Sequence, residues 1–227
     1  MSHATAVSPQ HSGTSSAATP ADPFTYDPVR DAPAHHHAIY DYDSGPPVHR
    51  GKFAIWLFLA TEIMFFTGLI GTYIVLRMGA ATWPNPADRL AVGITAANTF
   101  ILICSSATMV MAVEKAMKGE HNKLLLWLGL TILIGATFVS VQVYEYLELI
   151  HHGNVPKVDI FWSTFYAMTG FHGLHVTAGV VWLFCVWIGV ARRKIGQDRY
   201  MTVELAGLYW HFVDLVWVLL FTIVYLM

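Results

Sequence analysis

Long apolar stretches and short polar segments alternate along most of this chain. Five stretches carry few charged side chains, and they cover residues 53–76, 90–113, 124–144, 160–190 and 204–226. A helix needs about 20 apolar residues to cross the hydrocarbon core of a bilayer. We therefore predict an all-α fold, a polytopic membrane bundle of five transmembrane helices. The fourth stretch is longer than a perpendicular crossing requires, which indicates that it tilts or begins as an interfacial segment.

The first fifty residues have a different character. They are rich in Ser, Thr, Ala and Pro and show no hydrophobic period, as is typical of disordered segments. We predict a disordered cytoplasmic tail over 1–50 and a five-helix transmembrane domain over 51–227. The tail lacks the basic segment and apolar core of a cleaved signal, so the first span is expected to direct insertion.

Composition and charge support this reading and add an orientation. Of the 227 residues, 55% are hydrophobic and 12% are charged, and the mean hydropathy is +0.49. Basic residues in short loops stay on the cytoplasmic side of a membrane. Ten of the thirteen Lys and Arg residues fall in the tail, at the entry of the first span, and in the second and fourth loops. This distribution predicts that the N-terminus is inside and the C-terminus outside.

Ionisable side chains within the predicted spans are the candidate functional residues. Each costs about 2.5–3.5 kcal/mol at the centre of a membrane helix, so each needs a partner or a function. Two acids, Glu62 and Asp214, lie ten residues beyond Lys52 and Glu204, respectively. At the helical rise both are about 15 Å into the bilayer. The complete set of candidates is Glu62, His172, His175, Glu204, His211 and Asp214.

Helical spacing assigns faces to these residues. Glu204, His211 and Asp214 fall on one side of the fifth span, which we expect to look inward to protein. His172 and His175 are expected to share a face of the fourth span. Three bulky residues of the fifth span are expected to point elsewhere, toward lipid or other packing surfaces: Trp210, Trp217 and Leu220. Two acids at the end of the third span, Glu145 and Glu148, are expected to be solvated near the outer surface.

The residues alone leave three interpretations open. Buried His, Asp and Glu side chains often serve only as hydrogen-bonded joints between helices. A heme-binding bundle would need histidines on opposite faces of the ring, but His175 is about 24 Å from the inner side and His211 about 10 Å. A proton-conducting bundle would need a continuous polar chain across the membrane. Cys104 and Cys185 are isolated within spans and form no metal motif or disulfide framework.

Three segments carry a resemblance that spacing does not supply. They are "FLATEIMFFTGLIGTYIVLR" in the first span, "FYAMTGFHGLHVTAGVVWL" in the fourth and "ELAGLYWHFVDLVWVLLFTIVYLM" in the fifth. From about Gly51 onward the chain resembles subunit III of the heme-copper respiratory oxidases. The longer form of that family has seven spans, and this chain resembles the short bacterial form that lacks the first two.

The resemblance implies an accessory role in a proton-pumping terminal oxidase of the bacterial inner membrane. It implies no heme, copper or other cofactor in this chain, with heme and copper held by partner subunits. Expected partners are subunit I in direct contact, subunit II, structural phospholipids among the helices, and cytochrome c as donor to the complex, with no nucleic acid. The six candidates, Glu62 among them, are then buried polar, lipid-contacting or subunit-contacting residues rather than catalytic ones.

The electron donor distinguishes two branches of that superfamily. The glutamate of "TEIMFF", residues 61–66, resembles the cytochrome c branch, and we expect cytochrome c oxidase on that basis. A ubiquinol oxidase is the alternative.

Overall fold

The computed structural model describes residues 50–195 and 199–227, which form helices and turns without any strand. Of the predicted disordered tail, only Arg50 lies within the described residues, and it begins the first helix. The elements in chain order are α1 (Arg50–Gly79), the short α2 (Pro86–Arg89), α3 (Val92–Met117), α4 (His121–His151), α5 (Ile160–Ala191) and α6 (Tyr200–Phe221), continued by a π-helical turn (Thr222–Leu226).

Five of these helices are long and apolar enough to cross a membrane, which confirms the predicted fold class. The shortest of the five, α6, has 22 residues before its π-helical turn, or about 33 Å at 1.5 Å per residue. The helices therefore extend beyond a hydrocarbon core of about 30 Å. α5 begins at Ile160, as the sequence predicts, whereas α4 continues seven residues beyond its predicted end at 144.

Glycines in the left-handed conformation end two of the spans. Gly119 after α3 and Gly153 after α4 have φ of +70° and +78°, a region that glycine adopts without a steric penalty. Each donates its backbone N–H back into the last helical turn, to Ala116 and Ile150, respectively. The chain is thereby reversed within a few residues, and α4 packs antiparallel against α3.

The exposed turn between α3 and α4 carries paired charges. Lys118 Nζ lies 2.5 Å from Glu114 Oε1, and Lys123 Nζ lies 2.5 Å from Glu120 Oε2. The hydrogen bond from Lys123 lowers the pKa of Glu120, and the hydrogen bond to Glu114 raises the pKa of Lys118. Exposed pairs of this kind add little stability, so the turn serves mainly as a charged end to the apolar region.

Helices α3, α4, α5 and α6 form a ring in which each packs on the next, and α1 lies outside against α5 and α6. The centre of the ring is filled from α6. Trp210 and Trp217 are both 1% exposed, and their indole N–H groups donate to Ser105 Oγ and Thr99 Oγ1 of α3, each at 2.9 Å. The bundle core is therefore built from aromatic rings that are also hydrogen-bonded.

Polar contacts at both ends fix α1 alongside α6. Lys52 Nζ lies 2.7 Å from Glu204 Oε1 at one end, and the Arg77 guanidinium donates to the backbone oxygen of Met227 at the other. The two helices run in the same direction and in register. Because Glu62 and Asp214 each lie ten residues beyond one member of the first pair, they lie at similar depth.

Candidate functional site

An acid and a histidine within the spans join the middle of α1 to α5. Glu62 Oε2 lies 3.0 Å from Nε2 of His175. The other ring nitrogen, Nδ1, lies 2.7 Å from the carbonyl oxygen of Phe171, one turn earlier on α5. The hydroxyl of Tyr209 on α6 donates to the carbonyl oxygen of His175 at 3.0 Å. Three helices therefore meet around the Glu62–His175 pair.

These contacts determine how the pair holds its protons. A carbonyl oxygen only accepts hydrogen bonds, so Nδ1 of His175 carries a hydrogen. The contact between Nε2 and the Glu62 carboxyl group then requires one further proton, shared between the two atoms. Whether that proton sits on the ring or on the acid, the pair has no net charge, which favours a site only 16% to 21% exposed.

The second histidine of α5 has different neighbours. His172 is fully buried and stacks on Trp217 of α6, with ring centroids 4.7 Å apart. Neither ring nitrogen has a hydrogen-bond partner among the described residues. The expectation that His172 and His175 share a face is wrong. Side chains three residues apart diverge by about 60° on a helix, and here that turn directs one into the ring and the other toward α1.

The polar side of α6 borders α3 rather than the middle of the bundle. The Ser106 hydroxyl of α3 donates to Asp214 Oδ2 at 2.5 Å. Glu204 and His211 line one cavity beside α3, and His211 and Asp214 line a second, but only Asp214 is buried. Glu204 faces α1 through its pair with Lys52, whereas the expectation that this face looks inward is wrong for His211, which lies at the edge of α6 beside α3. Three bulky side chains form the fully buried side of α6: Trp210, Trp217 and Leu220. Large apolar side chains fill the space between the four helices better than small polar groups do.

Glu145 corrects another expectation. The sequence predicts that it is solvated, but it is half-buried and accepts hydrogen bonds from the hydroxyls of Thr95 at 3.1 Å and Tyr225 at 3.4 Å. The π-helical turn at the end of α6 brings Tyr225 over this position. Glu148, three residues later, is exposed and pairs with His152 at 3.1 Å, as expected for a surface acid.

Sequence reasoning missed the hydroxyl partners on α3. Trp210 and Trp217 are seven residues apart, and their partners Ser105 and Thr99 are six apart in the opposite order, because α3 and α6 run antiparallel. A signal was present, since small polar residues recur along one side of an otherwise apolar α3. Such residues in membrane helices commonly bond to a neighbouring helix.

The described histidines do not converge on one point. His172 stacks on Trp217, His175 meets Glu62, and His211 lies at the edge of α6 beside α3. Within residues 50–195 and 199–227, no three His, Cys, Asp or Glu side chains are grouped to hold a metal ion. The three histidines within the spans therefore do not form the pair on opposite faces of a heme that the heme-binding interpretation requires.

The fold and these contacts define a class of protein: a polytopic helical membrane protein whose polar side chains join its own helices. Comparison with known proteins identifies the family within this class. The family described as cytochrome c oxidase subunit III matches residues 32–227. The chain belongs to this family, the third subunits of the heme-copper oxidases, and the resemblance stated above is confirmed.

Relatives within the family carry two kinds of name. The chain is 36% identical to cytochrome c oxidase subunit 3 of Bacillus sp. (strain PS3), over 78% of this chain and 86% of the relative. It is 35% identical to quinol oxidase subunit 3 of Bacillus subtilis (strain 168), over 76% and 84%. It is also 35% identical to cytochrome bo(3) ubiquinol oxidase subunit 3 of Pseudomonas aeruginosa, over 85% and 90%.

Proposed function

We propose that this chain is the accessory, cofactor-free subunit III of a proton-pumping terminal oxidase that transfers electrons from cytochrome c to oxygen. Subunits I and II carry the heme and copper in this proposal, and the complex lies in a bacterial cytoplasmic membrane. The chain stabilises subunit I, sustains its proton uptake and holds lipid beside it.

One observation supports the proposal: four carboxyl groups on the long helices serve as joints between helices. Glu62 bonds to α5, Glu145 to α3, Glu204 to α1 and Asp214 to α3. A carboxyl group in a membrane is costly unless it is paired, and each pair fixes two helices at one level. The polar groups thus support a rigid bundle with a defined outer surface, which suits a subunit that acts on a neighbour.

The direct test is a reduced-minus-oxidised optical spectrum of the protein purified gently from its own membrane. We expect heme absorbance in the complex and none on the chain after every co-purifying subunit has been removed. Heme that stays on the isolated chain would make it a heme protein and overturn the proposal.

We propose cytochrome c as the electron donor on the basis of the glutamate in "TEIMFF". The quinol oxidases among the relatives support the alternative donor, ubiquinol. Oxygen consumption by the purified complex separates the two. We expect rapid consumption with reduced cytochrome c and slow consumption with ubiquinol. The reverse order would assign the chain to a quinol oxidase and leave its role as subunit III intact.

Replacement of Glu62 by glutamine tests the shared proton. Glutamine can donate a hydrogen bond to Nε2 of His175 but cannot exchange a proton with it. We expect Glu62→Gln to leave the heme spectrum and initial rate of the complex intact and to shorten severalfold the time over which activity decays during turnover.

Two further variants serve as controls for the Glu62→Gln result. Glu148→Gln removes an exposed acid from the same chain and is expected to decay like the wild type. Glu62→Leu removes the joint as well as the proton. If Glu62→Gln decays like the wild type and Glu62→Leu does not, the pair is only a joint and has no part in proton supply.

A further inference from the structure

Tyr209 of α6 contacts both helices that carry the Glu62–His175 pair. It is only 5% exposed, so its hydroxyl needs a partner within the protein. The hydroxyl donates to the backbone oxygen of His175 on α5 at 3.0 Å, and the ring centroid lies 6.2 Å from that of Phe58 on α1. Phe58 precedes Glu62 by four residues, about one helical turn. Tyr209 therefore bridges α1 and α5 within one turn of the pair.

A glycine of α5 provides the space for the Tyr209 ring. A Cβ atom at Gly179 would lie 3.1 Å from Cε1 of Tyr209, closer than ordinary van der Waals contact. Gly179 follows His175 by four residues, so the ring covers the same helical turn whose carbonyl oxygen the hydroxyl reaches. Trp182 packs against the ring from α5 as well, with ring centroids 5.5 Å apart. These contacts fix Tyr209 on the backbone of α5.

The imidazole ring of His175 is held by the helix that carries it. Nδ1 lies 2.7 Å from the carbonyl oxygen of Phe171 on the same helix, and the ring of Phe66 on α1 lies edge-on at 5.1 Å. Because the imidazole cannot swing freely, the distance from Nε2 to the Glu62 carboxyl group depends on how far the α5 backbone lies from α1. Tyr209 acts on that separation, since it packs on α1 and is hydrogen-bonded to α5.

The distance between Nε2 of His175 and Oε2 of Glu62 influences where their shared proton lies. At close range the charged form of the pair, imidazolium and carboxylate, is stabilised by a strong hydrogen bond and by the attraction of the two charges. When the groups move apart in an apolar medium, that attraction falls and the cost of burying charge remains. The neutral ring and the neutral acid are then favoured, so separation moves the proton to Glu62.

We propose that Tyr209 is a positioning residue for the Glu62–His175 pair: its hydroxyl holds the α5 backbone close to α1 and thereby keeps the proton from passing wholly to the carboxyl group. The position of the proton is a property of this chain alone. Its consequence for the oxidase rests on the proposed function, since it requires that the pair takes part in proton supply.

The first test is the ¹⁵N NMR spectrum of the histidine-labelled chain in lipid bilayers. The His175 signals are identified by their absence from His175→Gln. Tyr209→Phe removes the hydroxyl and keeps the ring contacts with Phe58 and Trp182, so the bundle keeps its fold. We expect the Nε2 signal in Tyr209→Phe to move toward that of an unprotonated ring nitrogen. A signal that does not move, or that is already at that limit in the wild type, would refute the proposal.

Tyr166→Phe is the matched control for the NMR experiment. The Tyr166 hydroxyl donates to the backbone oxygen of Asn154 at 2.9 Å, so this variant loses the same kind of bond. Tyr166 precedes His175 by nine residues, or about 14 Å along α5. We expect its His175 signals to match those of the wild type. If Tyr166→Phe moves the Nε2 signal as much as Tyr209→Phe does, the bundle has loosened generally and Tyr209 has no special role.

The decay of oxidase activity during turnover is the second readout. Because Tyr209 acts through the pair, Tyr209→Phe should shorten the decay time, and its combination with Glu62→Gln should shorten it no further than Glu62→Gln alone. If the double variant shows the two effects multiplied, Tyr209 acts elsewhere and the proposal fails. If Glu62→Gln decays like the wild type while the Nε2 signal moves in Tyr209→Phe, the proposed part in proton supply fails and the positioning role stands.

Discussion

Replacement of Trp217 by alanine is expected to destabilise the bundle more than any other single truncation of α6. The indole is 1% exposed, stacks on His172 and lies edge-on to Phe138 with ring centroids 5.1 Å apart. Its N–H donates to Thr99 of α3. Removal leaves a cavity where four helices meet and takes away the hydrogen bond that the Thr99 hydroxyl accepts, and we expect a loss of about 3–5 kcal/mol of folding free energy.

Trp56 provides the matched control for this substitution. It lies on α1 and is 60% exposed, so Trp56→Ala should change stability by no more than about 0.5 kcal/mol. Trp217→Phe keeps most of the ring contact and loses the hydrogen bond, so its cost should be intermediate. The measurement is thermal unfolding of the detergent-solubilised protein. Equal losses for the alanine variants at 56 and 217 would show that the ring of helices is not centred on Trp217.

Replacement of Gly135 by alanine is the second change with a large expected effect. A Cβ atom at this position of α4 would lie 2.5 Å from Cη2 and 2.9 Å from Cζ2 of Trp210. Trp210 cannot yield easily, because it is 1% exposed and its N–H is bonded to Ser105. One methyl group must therefore separate α4 from α6 or displace the indole, at a cost of about 1–3 kcal/mol.

Gly68 on α1 is the control, since a Cβ there meets no atom within 4 Å. Gly68→Ala should be neutral or stabilising, because alanine favours a helix over glycine by about 1 kcal/mol. Trp210→Phe removes the part of the ring that the new methyl group meets, so it should recover part of the stability lost in Gly135→Ala. Thermal unfolding of the four single and double variants checks both statements. If the double variant loses as much stability as the two single variants combined, the clash between the new methyl group and Trp210 is not the cause of the loss in Gly135→Ala.

The number of spans followed from the sequence because burial in lipid imposes a minimum length of apolar helix, and that length is local information. The candidate residues also followed from the properties of the bilayer. An ionisable group such as Glu62 or Asp214 is costly at mid-membrane whichever way its side chain points. Their partners did not follow. Glu62 meets His175 across 113 positions of sequence, and that contact depends on how two helices are rotated and offset.

The errors have the same origin. Helical spacing predicts one face for His172 and His175, but a turn of about 60° between them is enough to reach different neighbours in a ring of helices. The position of Glu145 near the end of a span predicts a solvated side chain, whereas Tyr225 from another helix covers it. Depth along a helix can be counted from sequence, but the direction of a side chain relative to other helices cannot.

The polar ties of α1 have a consequence for the order in which the bundle is completed. Among the described residues, the ties Lys52–Glu204, Glu62–His175 and Arg77–Met227 join the first helix to the last two. During synthesis α1 enters the membrane long before α5 and α6 exist, and until then its carboxyl group at Glu62 faces lipid without a partner. We therefore expect α1 of a ribosome-bound intermediate to stay in contact with a chaperone or insertase. Its release from that contact would mark the insertion of the last helix.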